Sequence, residues 1–316
     1  MILSVSRRTD IPNYYSDWFF NRIKAGYLYV KNPVDPHQVS LIDLSPEVID
    51  CIVFWTKNPE NMLKRLDEIK AYQYYFQFTI TGYGRDIEPG IPDKNKMVIP
   101  TFKGLSEKIG KDRMIWRYDP ILINDKYTAD YHISAFAKIA KELRGYTDKV
   151  IISFIHLYEK TKKNTRELNL IMPDKEEKYQ LAAKMKRISE NNRLVMETCA
   201  EEKGFEAIGI PSGCCIDQTL IESLIECAVK GKKDKNQRQR CGCFESVDIG
   251  TYHTCRNGCR YCYANFSEKQ VQDHSMRYDP YAPLLCGSAD ETKGDRISHR
   301  KMKSLRQEQL TFFREK

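Results

Sequence analysis

Near the C-terminus of this 316-residue chain, three cysteines share one short run, Cys255-Arg-Asn-Gly-Cys259-Arg-Tyr-Cys262. The C-x3-C-x2-C spacing puts three thiolates on a single loop. Three thiolates can hold three corners of a cubic 4Fe–4S cluster and leave the fourth iron without a protein ligand. That open iron is a place for chemistry, whereas a fully ligated cluster only carries electrons or holds structure. A zinc site asks for four ligands, commonly as two C-x2-C knuckles separated by a longer loop, and the first pair here has the wrong spacing for a knuckle. The run therefore favours an open iron–sulfur cluster over zinc.

Seven more cysteines lie upstream, five of them at Cys199, Cys214, Cys215, Cys241 and Cys243. Cys199, Cys215, Cys241 and Cys243 are the expected ligands of a second, closed 4Fe–4S cluster, with Gly242 letting the Cys241-Gly-Cys243 backbone bend close. The same four would also suit zinc, or be unligated core residues. Neighbours on an extended segment point opposite ways, so Cys214 and Cys215 are not separable by sequence. Cys51 and Cys227 read as core, and the role of Cys286 is left open.

Tyr261, between the last two cysteines of the triplet, completes the form C-x3-C-x-aromatic-C. Over Asp248–Asn265 the chain resembles the radical S-adenosylmethionine (SAM) superfamily. The resemblance implies an enzyme with a 4Fe–4S cluster on Cys255, Cys259 and Cys262, whose open iron is chelated by the amine and carboxylate of SAM. Reductive S–C cleavage would then yield a 5′-deoxyadenosyl radical that abstracts hydrogen from a substrate. A reductant protein such as flavodoxin or ferredoxin is the implied partner. The Gly-Gly-Glu that usually follows the second strand of such enzymes does not occur in this sequence. Thr56, Lys57, Thr79 and Arg117 are the candidate cofactor contacts, by position alone. The whole chain also resembles an uncharacterised bacterial family that carries its triplet near the C-terminus, which brings no substrate. Two other readings differ in class: a zinc-stabilised nucleic-acid-binding protein, and an electron-transfer protein with closed clusters only.

Such residues need a scaffold that gathers them. Short β-branched and aromatic runs alternate with helical stretches, the pattern of βα units and a mainly parallel sheet. Strands are predicted at Ile2–Ser6, Asp50–Thr56, Tyr74–Ile80, Met114–Arg117, Val150–Ile155, Leu194–Thr198, Ala207–Ile210 and Ser246–Gly250. Asn58-Pro59 should open a helix through about Ala71. Thr128 should cap a helix to Leu143 that stops at Gly145. Further helices are expected from Pro173-Asp174 to about Ser189 and from Asp217 to near Gly231. Tyr27–Leu44, interrupted by Asn32-Pro33-Val34-Asp35-Pro36, reads as a hairpin or extended insert.

This predicts an α/β fold, a full or partial TIM-type barrel like that of radical SAM enzymes, circularly permuted so that the cluster loop falls near the C-terminus. Residues 1–240 would form the barrel body, and 241–316 a cysteine-rich part integrated with it. Parallel barrels carry their chemistry at the C-terminal ends of the strands. The predicted ends are polar in succession: Arg7-Arg8-Thr9-Asp10, Thr56-Lys57-Asn58, Thr79, Arg117-Tyr118-Asp119, His156, and Glu197 beside Cys199. That succession reads as the lining of a pocket rather than loop capping.

Composition sets the outer bounds. Hydrophobic content of 41% and charged content of 30% are those of a soluble globular chain. Ser6-Arg7-Arg8 is followed by Asp10, Pro12, Asn13 and Asp17 rather than an apolar core, which argues against export. With eleven cysteines, a reducing cytoplasm and metal binding are then expected rather than disulfides. No membrane partner is expected, since no apolar run approaches the roughly 20 residues a spanning helix needs. The net charge of +8 permits an anionic or nucleic-acid partner without requiring one. Its densest basic run is Lys230–Arg240, read as a solvated loop.

Overall fold

The computed structural model describes residues 1–35, 37–287, 292, 296–299 and 302–307; Pro36, at the end of the predicted insert turn, lies outside the described residues. The strands in chain order are β1 (Ile2–Val5), β2 (Tyr27–Lys31), β3 (Gln38–Asp43), β4 (Cys51–Thr56), β5 (Tyr74–Thr79) and β6 (Met114–Ile121). They continue as β7 (Lys149–Phe154), β8 (Val195–Cys199), β9 (Ser212–Gly213), β10 (Val247–Asp248) and β11 (Arg296–His299). Eight of them form one parallel sheet in the order β10-β1-β4-β5-β6-β7-β8-β9. The insert is the predicted hairpin: β2 and β3 are antiparallel, and β11 lies along β3.

Alternation along each strand separates two environments. One face carries Phe54, Phe76, Trp116 and Ile152, all fully buried against aromatic and aliphatic side chains such as Phe19, Phe102, Phe136 and Met185 from the surrounding helices. Trp116 and Phe136 stack with ring centroids 4.7 Å apart. The opposite, inner face carries Ile2, Val53, Tyr75, Ile115 and Ile151, packed on Cys215, Ile216 and Phe244. Two residues further along the same strands the inner face turns polar, at Ser4, Trp55, Gln77, Arg117 and Ser153. Tyr75 Oη and Gln77 Nε2 both donate to the Cys215 carbonyl at 2.8 Å, so the segment after β9 crosses the inner face.

Four expectations need correction. The barrel is not closed: β9 and β10 are the two edges of the sheet. Each is only two residues long, and the gap holds a basic loop and cysteines instead of a ladder, with Phe244 N to Ile216 O at 3.0 Å as a local link. Ala207–Ile210 is not a strand. Phe205–Ile208 is a 3-10 turn between Gly204 and Gly209, both at positive φ, and the strand is the later Ser212–Gly213. The helix after Pro59 is broken into Glu60–Leu63 and a 3-10 turn at Leu66–Ile69, with Pro59 rather than Asn58 at its N-cap. The helix after Asp217 is Gln218–Ile225 and stops at Glu226, which takes the left-handed conformation at φ 52°, well before Gly231.

Other ends follow the sequence. Thr128 caps Ala129–Leu143, accepting from Tyr131 N at 3.2 Å. Asp174 and Glu177 form a reciprocal capping box for the helix Lys175–Asn191, at 2.9 and 2.8 Å. Asp174→Ala should therefore lower stability by about 1 kcal/mol in urea denaturation. An unchanged midpoint and slope would show that the cap contributes nothing.

Candidate functional site

The C-terminal ends of the sheet open onto a cavity of about 910 Å³. Thr56, Lys57, Thr79 and Arg117 line it, and so do Cys255, Cys259 and Cys262. Cys199, Cys215, Cys241 and Cys243 line it as well, whereas Cys214 does not. The structure thus separates the two neighbours that sequence leaves open. Cys214 turns away and packs on Gly242, where a β-carbon would lie 2.6 Å from its sulfur.

The triplet loop is tied to the sheet by buried polar groups. Asn257, between the first two cysteines, donates to Asp10 Oδ2 at 3.0 Å and accepts from Tyr14 Oη at 2.9 Å. The same Asp10 oxygen accepts from Lys57 N at 2.8 Å, so one carboxylate joins the ends of β1 and β4 to the loop. Tyr15 Oη donates to Thr254 O at 2.5 Å, and Asn265 Nδ2 to Cys255 O at 2.5 Å. Asn164 Nδ2 holds Cys262 O at 2.7 Å, and Ala264 N points at Cys262 Sγ at 3.3 Å. Gly90 is required at its position: a β-carbon there would stand 2.6 Å from the Arg256 carbonyl, which the loop cannot move without giving up the Gly90 N to Asn257 O bond of 2.9 Å.

Burial pushes the Cys255 thiol up to about 12, with Asp10 adding to it, and raises Cys259 and Cys262 in the same direction. A desolvated thiolate needs positive charge beside it. Lys57 supplies some, since it lowers the proton affinity of both Cys259 and Cys262. Lys57 is itself held by Glu88, at 2.8 Å. Glu88 is buried and also takes Lys94 at 2.6 Å, the Thr81 hydroxyl at 2.9 Å and the Tyr261 hydroxyl. Burial opposes its charge, but the two ammonium groups outweigh burial and hold its pKa at about 2.

The second thiol group is more compact. Cys199 and Cys215 have sulfurs 3.3 Å apart, and Cys243 interacts with both Cys215 and Cys241. Arg117 Nη1 reaches Cys215 Sγ at 2.5 Å, and Arg238 Nη2 lies 4.0 Å from Cys199 Sγ. The hydrogen bond with Cys215, with burial opposing and Arg117 assisting, brings Cys199 down to about 7. Among the described residues, no three His, Cys, Asp or Glu side chains converge as ligands of one metal ion would. The four thiols form a chain of contacts, and the triplet sulfurs make no hydrogen bond to one another.

The family model described as "Domain of unknown function (DUF1848)" matches residues 2–264, a span that runs from the first strand to just past the last cysteine of the triplet. The chain belongs to this family. No curated protein and no solved structure matches it. The DUF1848 span therefore encloses β1, β10 and the whole cavity lining.

Sequence reasoning passed over several residues that build this site. Glu88, Trp55, Asn257 and Arg238 each sit at the cavity or directly behind it. Asn257 carries a readable signal, lying inside the motif itself; Glu88 carries none, since its loop lies between predicted elements. Glu88→Gln should remove the counter-charge of two partly buried lysines and cost about 3 kcal/mol at pH 7. Because the folded pKa is depressed, that contribution is full above about 4.5 and fades as pH falls toward 2. Urea denaturation of both proteins across that range should show the difference shrinking. A pH-independent difference would refute the charge argument.

Proposed function

We propose that the protein is a radical SAM enzyme, with a 4Fe–4S cluster on Cys255, Cys259 and Cys262 in a barrel that is opened and circularly permuted. The observation that carries this reading is the convergence of the triplet and the strand C-terminal ends on one cavity. The strand order supports the permutation. β10, which leads into the triplet loop, lies beside β1 with Leu3 opposite Val247 and Ser4 opposite Asp248, so the last strand of this sheet in sequence takes the place before the first.

The donor set fits such a cluster in type and access. Cys255, Cys259 and Cys262 all line the cavity from one loop, and thiolates are the usual ligands of a 4Fe–4S cluster. When bound, the cluster would supply the electron for reductive cleavage of SAM to methionine and a 5′-deoxyadenosyl radical. The chain's own residues do the rest. Asn257, Asp10 and Asn265 fix the loop. Lys57, oriented by Glu88, offers a fixed ammonium near the thiols for the carboxylate of SAM. Thr56, Thr79 and Arg117 complete the polar wall, and Trp55 and Tyr261 contribute surface that excludes water. Cys199, Cys215, Cys241 and Cys243 would hold the second cluster, with Arg117 and Arg238 offsetting its negative charge. An external reductant such as flavodoxin or ferredoxin would deliver the electron in the cytoplasm; among the described residues, no helix is long and apolar enough to cross a membrane.

Anaerobic reconstitution tests the reading. Wild-type protein should hold nearer eight irons than four, and should release 5′-deoxyadenosine when given SAM and dithionite. Changing Cys255, Cys259 and Cys262 together to Ala should remove about four irons and all 5′-deoxyadenosine. Reductive SAM cleavage that survives in the triple variant would overturn the assignment. Changing Cys241 and Cys243 to Ala should remove the other four or so irons. Wild type holding about four irons plus zinc would instead make the second group a structural zinc site.

A further inference from the structure

The charges lining the cavity are unequally satisfied. Its carboxylates are all engaged by groups of the protein itself. Asp10 accepts from Lys57 N, Asn13 N and Asn257 Nδ2. Asp119 takes Arg117 and the Ser153 hydroxyl, and Asp248 takes Ser4, Ser6 and the backbone of Arg7 and Gly250. Glu159 pairs with Lys162 at 2.8 Å. The cations divide differently. Lys57 and Arg117 have Glu88 and Asp119, and Arg7 has Asp234 at a long 3.8 Å. Arg238 also lines the cavity without an ion pair among the described residues, but it is turned to the thiols and donates to Cys199 O at 3.4 Å; Arg8 and Lys160 line the same cavity with no carboxylate of the described residues within ion-pair distance.

These two cations are nonetheless held in place. The Arg8 guanidinium lies 5.1 Å from the centroid of the Tyr252 ring and donates through Nη1 to Gly250 O at 3.3 Å. The Lys160 ammonium lies 5.1 Å from the same ring and 4.4 Å from that of Phe266. Cation–π contact fixes a charge without neutralising it or using up its donors. Tyr252 lines the cavity only three residues before Cys255. Two oriented cations with free donors, on one ring at the edge of a cavity with no unengaged carboxylate, form a receptor for an anion.

We propose that the substrate of this cavity carries a phosphate or carboxylate group, and that Arg8 and Lys160, seated on Tyr252, bind it. The subsite is argued from the cavity alone and does not depend on the iron–sulfur reading.

Titration calorimetry of the full chain at low ionic strength tests it, with inorganic phosphate in one arm and succinate in the other. The arm that saturates at one site per chain identifies which anion the subsite prefers. Arg8→Gln and Lys160→Gln should each weaken that binding at least about tenfold, the loss expected for one charge-assisted hydrogen bond. Lys160→Arg should retain it, which separates lost charge from lost fold; circular dichroism and the thermal midpoint report on folding directly. The proposal fails if neither anion saturates, or if both Gln variants bind as wild type does. It also fails if the two Gln variants weaken the binding of SAM by the same factor as that of the anion, because the pair would then serve the carboxylate of SAM and not a substrate.

Discussion

The pairing of β10 with β1 is the contact on which the cavity depends. β10 is two residues long, too short for backbone hydrogen bonds alone to hold it against a sheet edge. Asp248 compensates. Its carboxylate accepts from Ser4 Oγ at 3.0 Å, Ser6 Oγ at 2.6 Å, Arg7 N at 2.9 Å and Gly250 N at 3.0 Å, binding β10 to the end of β1 and to the turn beyond it. Only six residues then lie between Asp248 and Cys255, which keeps the triplet over the rim shared by β1 and β4. A loop tethered elsewhere would leave the thiols without Lys57, Asp10 or the rest of the polar wall.

That wall is costly to build. Lys57, Glu88, Asp10, Arg117 and Asp119 are all largely withdrawn from water, and an unpaired charge in such a place is strongly destabilising. The structure meets the cost by giving each of them a partner: Glu88 between two lysines, Asp119 between Arg117 and Ser153, and Asp10 among amides. Fixed dipoles and charges of this kind need little reorganisation when a charged ligand arrives, which is the arrangement expected of a binding or reacting site rather than of a structural core.

Most of the sheet was readable because the strands are buried on both faces and announce themselves as apolar runs between polar ends, as in Cys51–Thr56 and Tyr74–Thr79. Caps with a side-chain mechanism, at Thr128 and Asp174, were readable for the same local reason. Boundaries set by tertiary contact were not. Nothing local tells that Ala207–Ile210 folds as a turn between two glycines while Ser212–Gly213 pairs with β8, because that choice is made by the fit against the edge of the sheet. The helices Ser16–Ala25 and Ile99–Ile109 were passed over, since their apolar residues serve packing on the outer face of the sheet rather than a conspicuous cap. At the site, residue type and spacing found the thiols and strand ends. The partners that orient them, such as Glu88 for Lys57, come from loops whose position only the fold decides.

The central claim is that the triplet holds a cluster with an open iron, facing the cavity where SAM binds. Electron paramagnetic resonance of the dithionite-reduced protein, recorded with and without SAM, tests it most directly. The account predicts a 4Fe–4S signal that changes shape when SAM is added, and that this SAM-sensitive component is missing when Cys255, Cys259 and Cys262 are replaced. A reduced-cluster signal indifferent to SAM, or a SAM-sensitive signal that persists without the three cysteines, would contradict it.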